Sequence, residues 1–258
     1  MKFELQRADF WKRISAFMFD VIVLGVIIIM VATAMSAIFQ YDKHVEVVSQ
    51  IEKEYEEKYI AEYGVNPDIT AEEFAALTEE EKAPYYQMDE ERQANPYLRS
   101  AYNMLSSLKF AIPSVSILIG YILAELVIPI FFKNGQTLGK KAFGLGVIHT
   151  NGVRMHGQAH FVRVLIGKCL IETLVPFYFV MLVLNGSLGP LLGIVMLGLL
   201  LVLQIFAVAS TKTRSTIHDL VSDTVVVDML SQMVFETPDD LMEYKQKLHE
   251  EMVNKQEY

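Results

Sequence analysis

The sequence predicts an all-α fold: a polytopic membrane protein with four transmembrane helices and a small helical ectodomain. Three observations support this. Of the 258 residues, 52% are hydrophobic, and the mean hydropathy is +0.30 although 21% of the residues are charged. The charges are separated from four long apolar segments, and most of the acidic residues lie in one insertion and in the tail. The two long polar segments between the apolar ones carry opposite charge, as loops on the two sides of a membrane do.

The first transmembrane helix is predicted over Ile14 to Phe39. The segment is longer than the apolar core of a secretory signal, about 7–15 residues, and it contains Asp20. Arg13 and Asp20 are seven residues apart, close to two helical turns, so both lie on one face. A carboxyl group costs about 2.5–3.5 kcal/mol at the bilayer centre on insertion scales. We therefore expect Asp20 to face protein or water.

Residues 40–105 form an acidic insertion. Between Tyr41 and Leu98 there are sixteen Asp or Glu and five Lys or Arg residues, a net charge of −11. Gly64 is placed to end a helix, Thr70 and Glu73 have the spacing of a capping box, and Asn95 precedes a proline as a helix cap does. These signals predict a small helical domain. It is either a solvated spacer or an acidic surface that concentrates cations or docks a partner.

The second transmembrane helix is predicted over Leu108 to Phe132, with Glu125 about seven residues from its far end. At 1.5 Å per residue this is a depth of about 10 Å, similar to that of Asp20 in the first helix. We expect the two carboxyl groups to share a level in the membrane.

The segment 133–163 is basic and contains no Asp or Glu. By the positive-inside rule, this loop and the N-terminus are cytoplasmic and the acidic insertion is outside. Asn151 and Gly152 predict a β-hairpin between residues 145–148 and 153–155. The bases of the loop are Lys133, Lys140, Lys141, Arg154 and Arg163.

The third transmembrane helix is predicted over Val164 to Leu184 and the fourth over Leu191 to Ala209. Lys168 and Glu172 are four residues apart, so we expect them to pair on one face of the third helix. Because of these charges, the alternative is a third helix that is partly re-entrant. The predicted organisation is therefore an N-terminal segment with the first helix (1–39), the acidic extracytoplasmic insertion (40–105), a membrane core (106–228) and a cytoplasmic helical tail (229–258), whose expected role is solvation rather than partner binding.

The composition argues against nucleic-acid binding and against an intrachain disulfide. A net charge of −9 does not provide the basic face that a nucleic-acid-binding protein needs. The single cysteine, Cys169, cannot form an intrachain disulfide.

Three separated blocks make the chain resemble the RDD family of membrane proteins, which is named for one arginine and two aspartates. The first block contains Arg13 and Asp20, the second runs from Gly135 to Leu145 and on to the Asn151–Gly152 turn, and the third contains Asp219. The resemblance covers residues 10–38 and 110–228. Gly146 and Asp223 depart from the family pattern, which often has a basic residue and a small residue there.

The resemblance implies a membrane protein without an assigned activity, although cation/proton exchange has been proposed for some members. Arg13, Asp20 and Asp219 are expected to form one charge cluster at the cytoplasmic side. A guanidinium group that holds carboxylates is a strong interaction in a low dielectric, so the cluster would act as a structural latch. The alternative is a set of carboxylates that alternately bind a proton and a small cation, with Asp20, Glu125 and Glu172 as the carriers.

Lys140 and Lys141 lie among four glycines but lack the spacing of a phosphate-binding loop, and we expect them to contact anionic lipid headgroups. No metal site is expected, because of the three nearby histidines only two have helical spacing and no acid or cysteine lies near them; these histidines are His149, His156 and His160.

No catalytic residue or cofactor is expected. Ser215, His218 and Asp219 could suggest hydrolase chemistry, but no nucleophile elbow surrounds the serine. An intramembrane aspartyl protease needs paired aspartates within helices, and Asp219 lies past the fourth one.

Two functions remain. The first is a non-enzymatic membrane scaffold or assembly protein, located in the cell membrane with both termini in the cytoplasm. The alternative is a secondary transporter that exchanges protons for small monovalent cations, which would require a homo-oligomer because four helices are few for a transporter. The expected partners are the lipid bilayer, further copies of the chain and small cations, and not nucleic acid.

Overall fold

The computed structural model describes residues 5–6, 8–132 and 135–256, the last three of them by their backbone alone. Lys133, which the sequence assigns to the basic loop, lies outside the described residues. Within them, four helices are long and apolar enough to cross a membrane, and the predicted all-α membrane fold is confirmed. We call them the first to fourth spans: Phe10–Ile38, Pro96–Ile130, Gly157–Leu184 and Pro190–Ser210.

The first span is the single helix α1, Phe10–Ile38. After Asp20 it contains no charged residue, and Ala16 is its one residue whose side chain is buried within the chain, among the residues described. Leu24 and Ile28 pack against the buried cluster of the second and third spans, whereas many other apolar side chains of α1 are exposed, as expected for a helix in contact with lipid.

The second span begins earlier than the hydropathy predicts. It consists of α5 (Pro96–Tyr121), a π-helical segment π1 (Ile122–Val127) and α6 (Ile128–Ile130). Oδ1 of Asn95 accepts hydrogen bonds from the backbone N–H groups of Tyr97 (2.9 Å) and Leu98 (3.2 Å), which confirms the predicted cap. The helix therefore begins at Pro96, directly after the predicted cap, and Leu108 marks only the start of its apolar part, because a cap and not hydropathy sets where a helix begins.

The third span is continuous over 28 residues. It consists of α8 (Gly157–Phe161), a π-helical segment π2 (Val162–Leu174) and α9 (Val175–Leu184). The fourth span is α10, Pro190–Ser210, with proline at its first position.

Both π-helical segments end just before a proline. Pro129 lies four residues after Glu125, and Pro176 lies four residues after Glu172. A proline inside an α-helix has no N–H for the carbonyl four residues back, and its ring collides with that carbonyl. The wider π turn relieves this conflict, with the N–H of Ile128 bonded to the carbonyl of Leu123, five residues back.

The acidic unit, residues 32–113, contains the helices α2 (Tyr41–Tyr63), α3 (Ala71–Ala76) and α4 (Glu79–Ala94). Gly64 ends α2 with φ at 67°, and Thr70 and Glu73 form the predicted capping box. A second capping box, which the sequence analysis missed, opens α4 at Thr78. The apolar core of this unit consists of Tyr59, Val65 and Met88 with Tyr55 and Tyr85.

The membrane core also contains a two-stranded antiparallel sheet, which the sequence predicted in part. Strand β1 (Leu145–His149) pairs with β2 (Thr224–Asp228), and Val147 lies opposite Val226. The predicted turn at Gly152 is present, but its hairpin is limited to one bridge between Ile148 and Arg154. The predicted hairpin is therefore formed in part, since the N–H of His149 also donates to the carbonyl of Val153 (2.9 Å). The longer pairing, between β1 and β2, joins segments about 80 residues apart, which a turn signal does not indicate.

Helix α7 (Leu138–Ala142) precedes β1, and helix α11 (Ile217–Val221) precedes β2. The tail forms α12, Pro238–Gln256, and its Leu241 packs against Val153 and Phe235.

Candidate functional site

Asp219 is the most enclosed acid of the membrane core, with 1% of its surface exposed. It lies in the first turn of α11, and its Oδ2 accepts hydrogen bonds from the backbone N–H (3.1 Å) and the hydroxyl (2.9 Å) of Thr216. Its Oδ1 accepts a hydrogen bond from the guanidinium group of Arg163, which also donates to the hydroxyl of Thr224. Nη2 of Arg13 lies 3.7 Å from Oδ2.

The carboxyl group of Asp219 is ionised in this setting. Burial alone raises its pKa, but the adjacent Arg163 guanidinium and the hydrogen bonds from Thr216 outweigh burial and hold the pKa well below its usual range. Asp219 in α11 thereby binds Arg163 of π2, which also binds Thr224 of β2. Arg13 of α1 lies at the edge of this cluster.

Asp20 binds a different element, the N-terminus of α7. Its Oδ1 accepts a hydrogen bond from the backbone N–H of Gly139 (2.7 Å), and its Oδ2 accepts one from the hydroxyl of Thr137 (2.5 Å). Nζ of Lys140 lies 3.7 Å from the same carboxylate. Free N–H groups at a helix N-terminus bind anions well.

Glycine at position 139 lets α1 and α7 approach closely. A Cβ atom there would collide with the backbone carbonyl of Ala16 and lie 2.9 Å from the carboxyl carbon of Asp20. Thr137, Gly139 and Lys140 therefore supply a hydroxyl group, a backbone N–H and an ammonium group to one carboxylate.

The expected cluster of three charges is thus divided in two. Arg13 and Asp219 meet, whereas Asp20 binds Thr137, Gly139 and Lys140. Two residues seven apart share a helix face but lie about 10 Å apart along the axis, so each contacts a different neighbour.

Lys140 does not face lipid headgroups, contrary to the sequence prediction. It is buried, and its Nζ lies 3.1 Å from the hydroxyl oxygen of Thr137. Burial and the neighbouring cations Lys168 and Arg163 lower its pKa to about 8, against the opposing effect of Glu125 and Asp20. The physical reason is that a cation is needed inside to balance those two acids.

Lys141, the next residue, is exposed. Its Nζ lies 5.9 Å from the ring centroid of Phe132. Headgroup contact by Lys141 stays a prediction.

Glu125 and Lys168 form an ion pair of 2.6 Å between the second and third spans. Glu125 lies in π1 and Lys168 in π2, so both π-helical segments contribute to the same pair. The predicted pairing of Lys168 with Glu172 within one helix is therefore wrong. Each of the two side chains finds a partner on another element instead.

Glu172 joins the third span to the fourth span and to α11. Its Oε1 accepts hydrogen bonds from the side-chain amide of Gln204 (3.0 Å) and the backbone N–H of His218 (3.1 Å). Nδ1 of His218 lies 2.7 Å from Oε2. A Cβ atom at Gly167 would lie 2.5 Å from Cβ of His218, so glycine allows this approach.

His218 is held in its neutral form. Burial and the positive charge of Arg163 lower its pKa, against the opposing effect of Glu172 and Asp219. A neutral imidazole donates its Nδ1–H to the carboxylate of Glu172.

The four acids and the nearby bases balance. Asp20, Glu125, Glu172 and Asp219 contribute four negative charges, and the bases Arg13, Lys140, Arg163 and Lys168 contribute four positive ones. We call these eight residues the charge network.

The model of one protein family, described as the RDD family, matches residues 7–223. The chain belongs to the RDD family. No curated protein and no solved structure gives a significant match. The match spans the charge network, so the resemblance seen in the sequence is confirmed, and the RDD core includes both the Asp20 and the Asp219 contacts.

Sequence reasoning missed several residues of the RDD core. Arg163 was counted only as a base of the loop, although it is 2% exposed and binds Asp219. Thr137 belongs to the block from Gly135 to Leu145, and His218 was considered only together with Ser215 and Asp219. Neither was expected to bind a carboxylate. A usable signal was present for the former, since Thr137 lies directly before the short helix that carries the two lysines, where a helix cap is expected.

The histidines of the basic loop do not converge. The rings of His149 and His156 have centroids 5.8 Å apart, and His160 is not part of that contact. Over residues 5–6, 8–132 and 135–256, no group of three or more His, Cys, Asp or Glu is placed to hold a metal ion. Oγ of Ser215 lies 2.6 Å from Oγ1 of Thr213, and His218 turns to Glu172.

Proposed function

We propose that this RDD protein is a non-enzymatic membrane scaffold or assembly protein, whose charge network ties its spans together. The observation that carries the proposal is that every acid of the network has a partner within the chain. Asp219 and Asp20 are bonded by backbone and hydroxyl donors as well as by bases, and Glu125 is paired with Lys168. Charges arranged in this way fix the relative positions of helices.

The acidic unit and the tail are the parts through which a scaffold would gather partners. We propose that the acidic unit lies outside the cell and that both termini lie in the cytoplasm of a cell-membrane protein. The support is the charge difference between the acidic insertion and the basic segment that follows the second span. Reporter fusions after residues 65 and 150 test this orientation, and signals from the same side for both would contradict it.

The scaffold proposal is tested by stability and transport measured together. Asp219→Asn is expected to lower the unfolding temperature in detergent. In liposomes, the wild-type protein is expected to leave an imposed pH gradient unchanged when Na⁺, K⁺ or Li⁺ is added. Cation-dependent collapse of the gradient would contradict the proposal, provided that protein-free liposomes keep theirs.

A secondary transporter that exchanges protons for small monovalent cations is the second candidate. One observation favours it: Glu125 and Glu172 each lie four residues before a proline, within irregular helix at membrane depth. Irregular helices with freed carbonyl groups are common where membrane proteins bind ions. In this function Lys168 would occupy the cation position beside Glu125 when no ion is bound.

The transport candidate requires loss of activity when an acid is neutralised. If the gradient collapses with wild-type protein, Asp20→Asn and Glu125→Gln should each abolish the collapse, while the exposed variant Asp239→Asn should not. Equal activity of wild type and Asp20→Asn would reject transport through this acid. We further propose a homo-oligomer for this function, which mass photometry in detergent tests directly.

A further inference from the structure

The guanidinium group of Arg13 is nearly without acceptors. Its side chain is 20% exposed, and among the described residues the 3.7 Å pair with Asp219 is its one ion pair or side-chain hydrogen bond. This distance is too long for a hydrogen bond. Both oxygens of the Asp219 carboxylate already accept hydrogen bonds, from Arg163 and from Thr216. Half-buried donors of this kind normally bind an acceptor.

A second arginine, Arg214, lies two residues before Thr216, whose backbone N–H binds the same carboxylate. Arg214 lies four residues past the end of α10, and its side chain is exposed. Its backbone has φ at 51°, and its N–H donates to the carbonyl of Thr211 (3.0 Å), so a tight turn fixes its position. Because the backbone N–H of Thr216 donates to Oδ2 of Asp219, the oxygen that lies 3.7 Å from Nη2 of Arg13, this turn brings Arg214 into the neighbourhood of Arg13.

The local charge is positive. Arg163 and Arg13 both lie against the Asp219 carboxylate, and Arg214 is a third guanidinium group in the segment that follows α10. Arg214 is not part of the charge network, so it adds one positive charge to a set of eight residues that is otherwise neutral. Guanidinium groups bind phosphate oxygens with two parallel hydrogen bonds, which suits a pair of arginines better than a pair of lysines.

We infer that Arg13 and Arg214 bind a phosphate group at the membrane surface. A phospholipid headgroup is the source that the position favours. Arg13 lies in the first turn of the first span, next to Phe10 and Trp11, which are 52% and 71% exposed. Exposed aromatic residues at a span end mark the headgroup level. The anionic-lipid contact assigned by sequence to Lys140 is thus taken by arginines from two other segments.

The test measures lipid and phosphate binding separately. Wild-type protein in detergent is titrated with phosphatidylglycerol, with phosphatidylcholine and with inorganic phosphate, and bound lipid is counted by native mass spectrometry. Arg214→Gln is the main variant, because an exposed side chain can be changed without unfolding the protein. Lys212→Gln is the matched control, an exposed cation two residues away.

We expect Arg214→Gln to weaken phosphatidylglycerol binding about tenfold, as the loss of a charge-assisted hydrogen bond does, and Lys212→Gln to leave it unchanged. Arg214→Lys should restore only part of the binding. Binding of inorganic phosphate alone, lost in Arg214→Gln, would support the site and assign it to a soluble phosphate compound. Equal losses in both Gln variants, or no loss in Arg214→Gln, would overturn the inference.

Discussion

Glu125 and Lys168 meet at 2.6 Å, and each lies in a π-helical segment of its own span. The pair is almost fully enclosed, with side chains 8% and 12% exposed. A charge removed from water in this way must be neutralised by a partner of opposite sign. Both members of the ion pair therefore lie in irregular helix, and Glu125 is the residue four positions before Pro129.

The stability losses caused by removing the two members of this pair should not add. Glu125→Gln or Lys168→Met leaves a buried charge without its partner and should cost about 3–5 kcal/mol of stability. The double variant should lose clearly less than the sum of the two single losses, because no unpaired charge remains. Chemical unfolding in detergent measures this cycle. Additive losses would mean that the two residues do not interact.

The approach of α7 to Asp20 should depend on Gly139. Gly139→Ala is expected to destabilise the protein by about 1–3 kcal/mol, because the added methyl group collides with the carbonyl of Ala16. Gly25→Ala in α1 is the matched control, since a Cβ atom there meets nothing within 4 Å. The control should be neutral or slightly stabilising. Thermal unfolding compares the two, and similar effects would contradict the proposed contact.

Asp219 and Arg163 should matter more for stability than Arg13. Asp219→Asn and Arg163→Gln each leave an uncompensated buried charge and should cost about 3–5 kcal/mol. Arg13→Gln should cost about 1 kcal/mol or less, because its ion pair is 3.7 Å long and its side chain is 20% exposed. Unfolding midpoints measure the order of these three stability losses. A loss for Arg13→Gln as large as that for Asp219→Asn would contradict it.

Acidification should destabilise the protein through His218. Its folded-state pKa lies below its ordinary value of 6.5, so the unfolded chain binds the proton more readily. The contribution of neutral His218 to the free energy of unfolding is therefore fully present above about pH 6.5 and is lost as the pH falls below it. Asp219 does not add to this change, because its lowered pKa acts only below about pH 4.

The unfolding temperature measured between pH 7 and pH 5 checks this expectation. The groups that face His218 are Arg163, Glu172 and Asp219. His218→Gln should flatten the pH dependence, whereas His249→Gln, at an exposed position in the tail, should leave it as in wild type. An unchanged slope in His218→Gln would show that another group is responsible.

Lys140 should change the stability of the protein at alkaline pH. Its pKa of about 8 lies below the ordinary value of 10.5, so the unfolded chain holds the proton that the folded chain releases. Its contribution to stability therefore rises between about pH 8 and pH 10.5. Lys140→Met should remove this rise, and the exposed control Lys141→Met should retain it, as unfolding midpoints across the range will show. A rise that persists in Lys140→Met would exclude this lysine as its source.

The four spans could be predicted because length, hydropathy and the separation of charge are properties of continuous segments. Caps such as Asn95 and Thr70 were also readable, since each acts within four residues of the chain. Even the two π-helical segments have a local signal, a proline four residues after a glutamate within an apolar helix.

The partners of the buried charges were decided by tertiary structure. Asp20 was expected beside Arg13 but binds Gly139, which is 119 residues away. Lys140 was expected at the lipid surface but balances buried acids. Periodicity states which face of a helix a charge occupies and says nothing about the element that packs against that face. The sequence by itself therefore determined that Asp20 had to find a partner, and only the packing of distant segments determined which one.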